Sequence, residues 1–129
     1  MPTPKRSLVR VVAVTAAGFA VYCSWAAYAN RAHGLGAAVR AGAVQGLSSA
    51  IATGVVATII EVVIAKLGRS WPAVVAAAVG ASSLAAAMHI TLHLLAGTKA
   101  LAATVSVPIA LGFVYSLTYA AAVRRADAG

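Results

Sequence analysis

One carboxylate lies inside a long apolar stretch of this chain. The 129-residue sequence contains two acidic residues, and Glu61 is the one with apolar residues on both sides. An ionisable group in such a setting is expected to carry a proton or to bind a cation. Because Glu61 follows Ala57 by four positions on a predicted helix, we expect it to face protein. The alternative is that Glu61 reaches the end of the helix and pairs with Lys66 or Arg69.

Two of the three histidines are four positions apart. On a helix, His89 and His93 lie on one face, so both rings can point at the same neighbour. This spacing can bind a metal when a third ligand is close, and we expect His33 or Cys23 at the same end of the molecule. The alternative is that both rings simply hydrogen-bond to water or to a neighbouring carbonyl. We predict no cofactor and keep His89, His93 and His33 as candidate metal ligands.

The sequence contains no signature of a conventional soluble enzyme. It has no glycine-rich phosphate loop, no nucleophile elbow and no cysteine pair, because Cys23 is its single cysteine. A hydrolase or transferase site would be hard to build from these residues. The sequence therefore predicts a protein that is not an enzyme.

The composition is that of a membrane protein. Hydrophobic residues make up 62% of the chain and charged residues 9%, which leaves too little polar surface for a water-soluble domain of this length. The net charge of +8 comes from Lys and Arg residues at the ends of apolar runs. This placement sets membrane topology and does not indicate nucleic-acid binding. We expect membrane lipids to be partners and nucleic acid not to be one.

Four apolar stretches are each long enough to cross a bilayer as a helix of about 20 residues. The sequence predicts an all-α integral membrane protein, a bundle of four antiparallel helices joined by short loops in one domain over residues 1–129. Residues 30–40 form the first predicted loop, Gly68 ends the second helix, and Ser70 caps the third. The approximate spans are residues 8–29, 43–66, 72–96 and 100–123.

The basic residues predict an orientation. Those at one end of the predicted bundle are Lys5, Arg6, Arg10, Lys66, Arg69, Arg124 and Arg125, and those at the other end are Arg31, Arg40 and Lys99. The larger group is expected on the cytoplasmic side, which places both chain ends inside, N-in and C-in. The alanine- and arginine-rich composition with short loops is typical of the bacterial cytoplasmic (inner) membrane.

Small residues recur at helical spacing along the second span. They are Gly42, Gly46, Ala50, Gly54 and Ala57. Such a stripe lets two helices approach closely, either within one subunit or across an oligomer interface. We therefore predict that these residues are packing positions.

A proline lies in the middle of the fourth span. Pro108 lacks a backbone N–H and crowds the carbonyl of Thr104, so a kink is expected there. Pro108 is also a candidate hinge, although a transmembrane proline can simply be tolerated.

Polar residues of several spans form a trail that could line a path across the membrane. The trail comprises Gln45, Ser48, Ser49, Ser82, His89, Glu61, Tyr115, Thr118 and Tyr119.

Three functional hypotheses follow. The first is an oligomeric transporter or translocator of a small solute or lipid, with Glu61, His89 or His93 as the coupling group. The second is a non-catalytic subunit or assembly factor that docks a membrane-protein partner through the small-residue stripe. The third is a metal-dependent membrane enzyme.

Overall fold

The protein is all-helical. The computed structural model describes the backbone of residues 4–126 and the side chains of residues 12, 13 and 16–125. The basic side chains of Lys5, Arg6 and Arg10, which contributed to the predicted orientation, lie outside this description. The four helices are α1 (Pro4–Ala29), α2 (Leu35–Leu67), α3 (Trp71–Leu95) and α4 (Leu101–Ala126).

Within the described residues, three helices are long and apolar enough to cross a membrane. They are α2, α3 and the Leu101–Arg125 part of α4. α1 has 26 residues and is not among the three. The helix count and the all-α class agree with the sequence prediction.

The helix ends are formed by local sequence. Ser70 caps α3 as predicted, because its side chain accepts a hydrogen bond from the backbone N–H of Ala73 at 3.3 Å. Gly68 ends α2 with a φ of 83°, a conformation that favours glycine. The first loop is shorter than residues 30–40. A 3-10 turn, Arg31–His33, is followed by Gly34 with a φ of 94°, and α2 begins at Leu35. Arg40 therefore lies inside α2, which runs without a break from Leu35 to Leu67.

The connections between helices are only a few residues long, so consecutive helices are antiparallel neighbours. α2 contacts all three other helices, whereas the described residues of α1 and α3 do not contact each other. The bundle has two ends. We call the end that carries residues 30–34 and 96–100 the two-loop end, and the opposite end, with residues 68–70, the single-loop end.

The core differs between the two halves of the bundle. Near the single-loop end it is apolar, with Val56, Ile60 and Ile64 of α2 against Val74 and several alanines of α3. Near the two-loop end it is polar. The buried polar residues there are Asn30, Gln45, Ser48, Ser49, His89, His93 and Thr104.

The small-residue stripe of α2 has different neighbours along its length. A Cβ at Gly42 would lie 2.9 Å from the carbonyl oxygen of Cys23, and one at Gly46 would lie 2.7 Å from the Phe19 ring, so both glycines let α1 approach. A Cβ at Gly54 would meet no atom within 4 Å. Ala50 and Ala57 are not buried. Close packing within the chain therefore uses the first two residues of the stripe.

α4 continues as one helix through Pro108, which is buried. The proline does not end the helix, and its hinge role stays a prediction.

Candidate functional site

His93 is held between two helices and a loop. Its Nε2 lies 2.9 Å from Oε1 of Gln45 on α2, and its Nδ1 lies 2.8 Å from Oγ1 of Thr98 in the loop that follows α3. Because the amide oxygen can only accept, Nε2 of His93 donates, and Nδ1 of the neutral ring accepts from the Thr98 hydroxyl. Both ring nitrogens are thus used within the protein.

His89 lies one turn further into the bundle and reaches the same amide. Its Nδ1 is 2.9 Å from Oγ of Ser48 and 3.4 Å from Nε2 of Gln45. The Gln45 amide nitrogen also donates to Oγ of Ser49 at 2.8 Å. The two histidines therefore do contact a common neighbour on α2. We call Gln45, Ser48, Ser49, His89, His93 and Thr98 the Gln45 cluster.

A half-open cavity of about 220 Å³ lies beside the Gln45 cluster, between the helices. Residues of all four helices line it, and most of its wall is apolar. His89 and Ser49 form part of its polar wall. The lining residues are Gly18, Phe19, Tyr22, Ser49, Ala50, Ala52, Thr53, Val56, Ser82, Ala85, Ala86, His89, Pro108, Ile109, Gly112 and Tyr115.

Glu61 lies toward the single-loop end and contacts α4. The hydroxyl of Tyr119 donates to its Oε1 at 2.5 Å. The Glu61 side chain is exposed and lines an open groove of about 770 Å³. Glu61 was expected to face protein but is exposed. The face of α2 that packs into the core at this level carries Val56, Ile60 and Ile64 instead.

Two stacked tyrosines lie between the cavity and Glu61. Tyr115 lines the cavity, and its ring centroid is 5.7 Å from that of Tyr119. Three members of the polar trail, Glu61, Tyr115 and Thr118, are exposed. Thr118 donates to backbone carbonyls of its own helix.

Glu61 and the histidines do not form one site. Gln45, which holds both histidines, precedes Glu61 on α2 by a distance of about 24 Å at 1.5 Å per residue. The two groups occupy opposite halves of the bundle.

His89, His93 and His33 do not come together as metal ligands. Among the side chains that the structure describes, no three from histidine, cysteine, aspartate and glutamate form such a group. His33 is exposed on the 3-10 turn, and Cys23 packs where α1 meets Gly42. A metal at His93 would also have to displace Gln45 or Thr98 from its ring.

Asn30 is a buried residue whose role was not expected from the sequence. Its Nδ2 donates to Oγ1 of Thr104 at 2.7 Å and to the carbonyl of Ala26 at 2.9 Å, while its Oδ1 accepts from the N–H of Ala100 at 3.0 Å. Asn30 thereby joins the end of α1 to the start of α4, where helical N–H groups lack partners within the helix. Trp25 adds a bond from its Nε1 to the carbonyl of Ala103 at 3.0 Å.

Gln45 was expected in the polar trail but not as the centre of a site. An amide inside a spanning-length helix is itself a signal, since such a group needs partners within the protein. Its partner His93 is 48 positions away, and the register of α2 against α3 is needed to pair them. Comparison with protein-family models, curated proteins and solved structures finds no match to this chain.

Proposed function

We propose that this protein is a small transporter or translocator that works as an oligomer in a cytoplasmic membrane and carries a small solute or a lipid between its four helices. The observation that carries the proposal is the half-open cavity between the helices, with the Gln45 cluster on one side of it and the tyrosines that lead to Glu61 on the other. Ligand sites are typically concave and mostly apolar, with a few well-placed polar groups.

The distribution of polarity supports a position in lipid. Polar side chains are buried around Gln45, while large apolar side chains cover the outside of the bundle. In water such a surface would be an extended apolar patch, whereas in a bilayer it faces hydrocarbon. Examples of exposed apolar residues are Val21, Leu47, Ile51, Val62, Val79, Leu84, Leu111, Phe113 and Val114.

The polar positions are spread over a length that suits a path across the membrane. The distance of about 24 Å from Gln45 to Glu61 compares with a hydrocarbon core of about 30 Å. Glu61, His89 and His93 are the groups that we assign to coupling. Glu61 is exposed to the groove at the single-loop end, and His89 borders the cavity.

Oligomer formation is supported by glycines outside the cavity that no described residue covers. A Cβ at Gly54 or Gly80 would meet no atom within 4 Å. Small residues at such positions allow a second helix to approach closely. The alternative function, a non-catalytic subunit, would use the same open glycines, since Gly42 and Gly46 already face α1.

Two matched substitutions test the proposal. Ala86 lines the cavity, whereas its neighbour Ala87 is exposed, so Ala86→Phe fills the cavity and Ala87→Phe adds the same ring outside it. Native mass spectrometry of protein released in lipid nanodiscs then reports the bound small molecules. We expect the wild type and Ala87→Phe to retain a molecule that Ala86→Phe has lost.

Movement across the bilayer is measured separately in proteoliposomes. Fluorescently labelled phospholipid in the inner leaflet becomes reducible by external dithionite only if it is translocated, and the molecule found by mass spectrometry is tested as a loaded solute. Translocation by Ala87→Phe but not by Ala86→Phe is the expected result. Absence of both a bound molecule and movement in the wild type would refute the proposal, and isolation with an unrelated membrane protein would favour the subunit function.

A further inference from the structure

We infer that the cavity binds a compact apolar molecule that carries a carbonyl-type oxygen, and that Nε2–H of His89 donates the hydrogen bond that orients it. The inference rests on the proposed function, because it assigns the chemical class of ligand to the same cavity. It follows from the hydrogen-bond partners of His89 and from the character of the cavity wall.

Nδ1 of His89 faces two polar side chains of α2. The amide nitrogen of Gln45, 3.4 Å away, can only donate. The Ser48 hydroxyl has two acceptors within reach, Nδ1 of His89 at 2.9 Å and the carbonyl of Gln45 at 3.1 Å. A hydrogen on Nδ1 would face the amide hydrogens of Gln45, so Nδ1 is the acceptor. The neutral ring then carries its hydrogen on Nε2.

Nε2, the other ring nitrogen of His89, has no partner among the described residues. His89 is only 5% exposed. Yet among the described side chains no fully buried nitrogen or oxygen lacks a partner. Nε2 must therefore be accessible, and the space that His89 borders is the cavity. Its N–H is a donor that an occupant of the cavity can use.

Apart from His89, the cavity wall is mostly apolar. Ser82 and Thr53 line the cavity, but each donates its hydroxyl hydrogen to a carbonyl of its own helix. The remaining wall includes Phe19, Val56 and Ile109, which favour an apolar body. A dry cavity of about 150 Å³ is large enough for benzene, so about 220 Å³ suits a single-ring molecule or an equivalent part of a larger one. The wall also includes Tyr22 and Tyr115, whose hydroxyls are further potential donors to a carbonyl-type oxygen. An apolar ligand that carries such an oxygen therefore suits the wall and satisfies the N–H of His89.

The test compares two probes of nearly the same shape. Acetophenone carries a carbonyl oxygen where α-methylstyrene carries a CH₂ group. Each is titrated into 15N-histidine-labelled wild-type protein in nanodiscs, and the ring nitrogens of His89 are followed by NMR. We expect Nε2 to be protonated and Nδ1 not. Acetophenone should shift Nε2 saturably, and α-methylstyrene should bind roughly tenfold more weakly, as loss of one hydrogen bond implies.

Variants complete the test. His89→Phe keeps a ring in place but lacks the N–H, so it should bind the two probes equally. His33→Phe, at an exposed histidine outside the cavity, should keep the preference of the wild type. Since the probe titration uses the wild type, the inference stays testable even if His89→Phe does not fold.

Several outcomes would overturn the inference. They are a hydrogen on Nδ1 of His89, equal binding of the two probes by the wild type, and no saturable binding of either. Equal binding would leave the cavity as a ligand site and the proposed function intact. Failure of the proposed function would appear separately, as the absence of a native bound molecule and of translocation.

Discussion

At the scale of single residues, the polar half of the core is organised by Gln45. Its amide oxygen accepts from His93, and its amide nitrogen donates to Ser49 and faces His89. Gln45 and His93 are fully buried, so water cannot replace either partner of this bond. A buried polar group left without its partner lowers stability by about 1–3 kcal/mol.

We therefore expect Gln45→Leu to lower the free energy of unfolding by about 2 kcal/mol, because it removes the partner of His93 and one partner of His89. His93→Leu should have an effect of similar size. The double variant should lose less than the sum of the two, because the residues share one bond. Reversible unfolding in mixed micelles measures all three. Thr58→Val is the control on the same helix, since Thr58 is exposed and bonds only to the carbonyl of Gly54. Strictly additive effects would contradict the shared bond.

The second prediction at this scale concerns the charge of Glu61. Glu61→Gln keeps an oxygen for the Tyr119 hydroxyl but removes the carboxylate. We expect this variant to reach the wild-type protein level and to lose translocation in proteoliposomes, because a coupling group must change its charge. Tyr119→Phe is the matched variant: it removes the bond, retains the carboxylate and should retain translocation. A fully active Glu61→Gln would remove Glu61 from the coupling groups.

At the scale of helices, the pairing of α1 with α2 depends on close approach. The Cβ position of Gly42 lies near a backbone oxygen, which cannot move unless α1 moves with it. Gly54, on the same helix, has open space instead. The two glycines thus differ in what they contact and not in their helical setting.

Gly42→Leu should lower the free energy of unfolding by about 1–3 kcal/mol, as overpacking does. Gly54→Leu makes the same chemical change, with the same gain in helix propensity, and should leave the folded monomer intact. Unfolding in mixed micelles tests the first expectation. Size-exclusion chromatography with light scattering tests whether Gly54→Leu dissociates an oligomer. Equal destabilisation by both variants would show that α1 does not pack at Gly42 as described.

The helices themselves could be predicted from the sequence more fully than their contacts. Apolar run lengths and the signals at Gly68 and Ser70 place two of the three connections to within a few residues. The sequence prediction starts α2 too late because it assigns Arg40 to a loop, whereas a helix in lipid can carry a basic residue near its end. The break is at Gly34, where φ is positive.

The site was less predictable, for a physical reason. α2 and α3 are apolar on nearly all sides, so a hydrophobic stripe does not mark which face is buried. Contacts are then decided by small and polar residues whose partners are far along the chain. The bonds of Asn30 to Ala100 and Thr104 illustrate this, because they join positions 70 and 74 residues apart.

At the scale of the whole molecule, the charged residues divide between the two ends of the bundle. At the single-loop end, Arg124 lies over the Trp71 ring at 4.5 Å and donates to the carbonyl of Arg69 at 2.9 Å. At the two-loop end, Arg31 lies over Tyr28 at 3.7 Å. Aromatic and basic residues together are typical of membrane interfaces, which supports a bundle that stands across the bilayer.

The proposed orientation can be tested in intact cells. Starting from Cys23→Ser, single cysteines are introduced by Lys99→Cys at the two-loop end and by Leu67→Cys at the single-loop end, both at exposed positions. A membrane-impermeant maleimide should label the first without treatment and the second only after permeabilisation, because the more basic end is expected in the cytoplasm. The reverse pattern would invert the orientation.

The length of α2 has a consequence for the bilayer itself. Its 33 residues extend about 50 Å, and the 25 residues of α3 extend about 38 Å, against a hydrocarbon core of about 30 Å. A tilt of 40°, the upper end of the usual range, would still leave α2 about 38 Å tall. Helix α2 is thus longer than the hydrocarbon core is thick, so hydrophobic mismatch should make the proposed activity rise in lipids with longer acyl chains and fall in shorter ones.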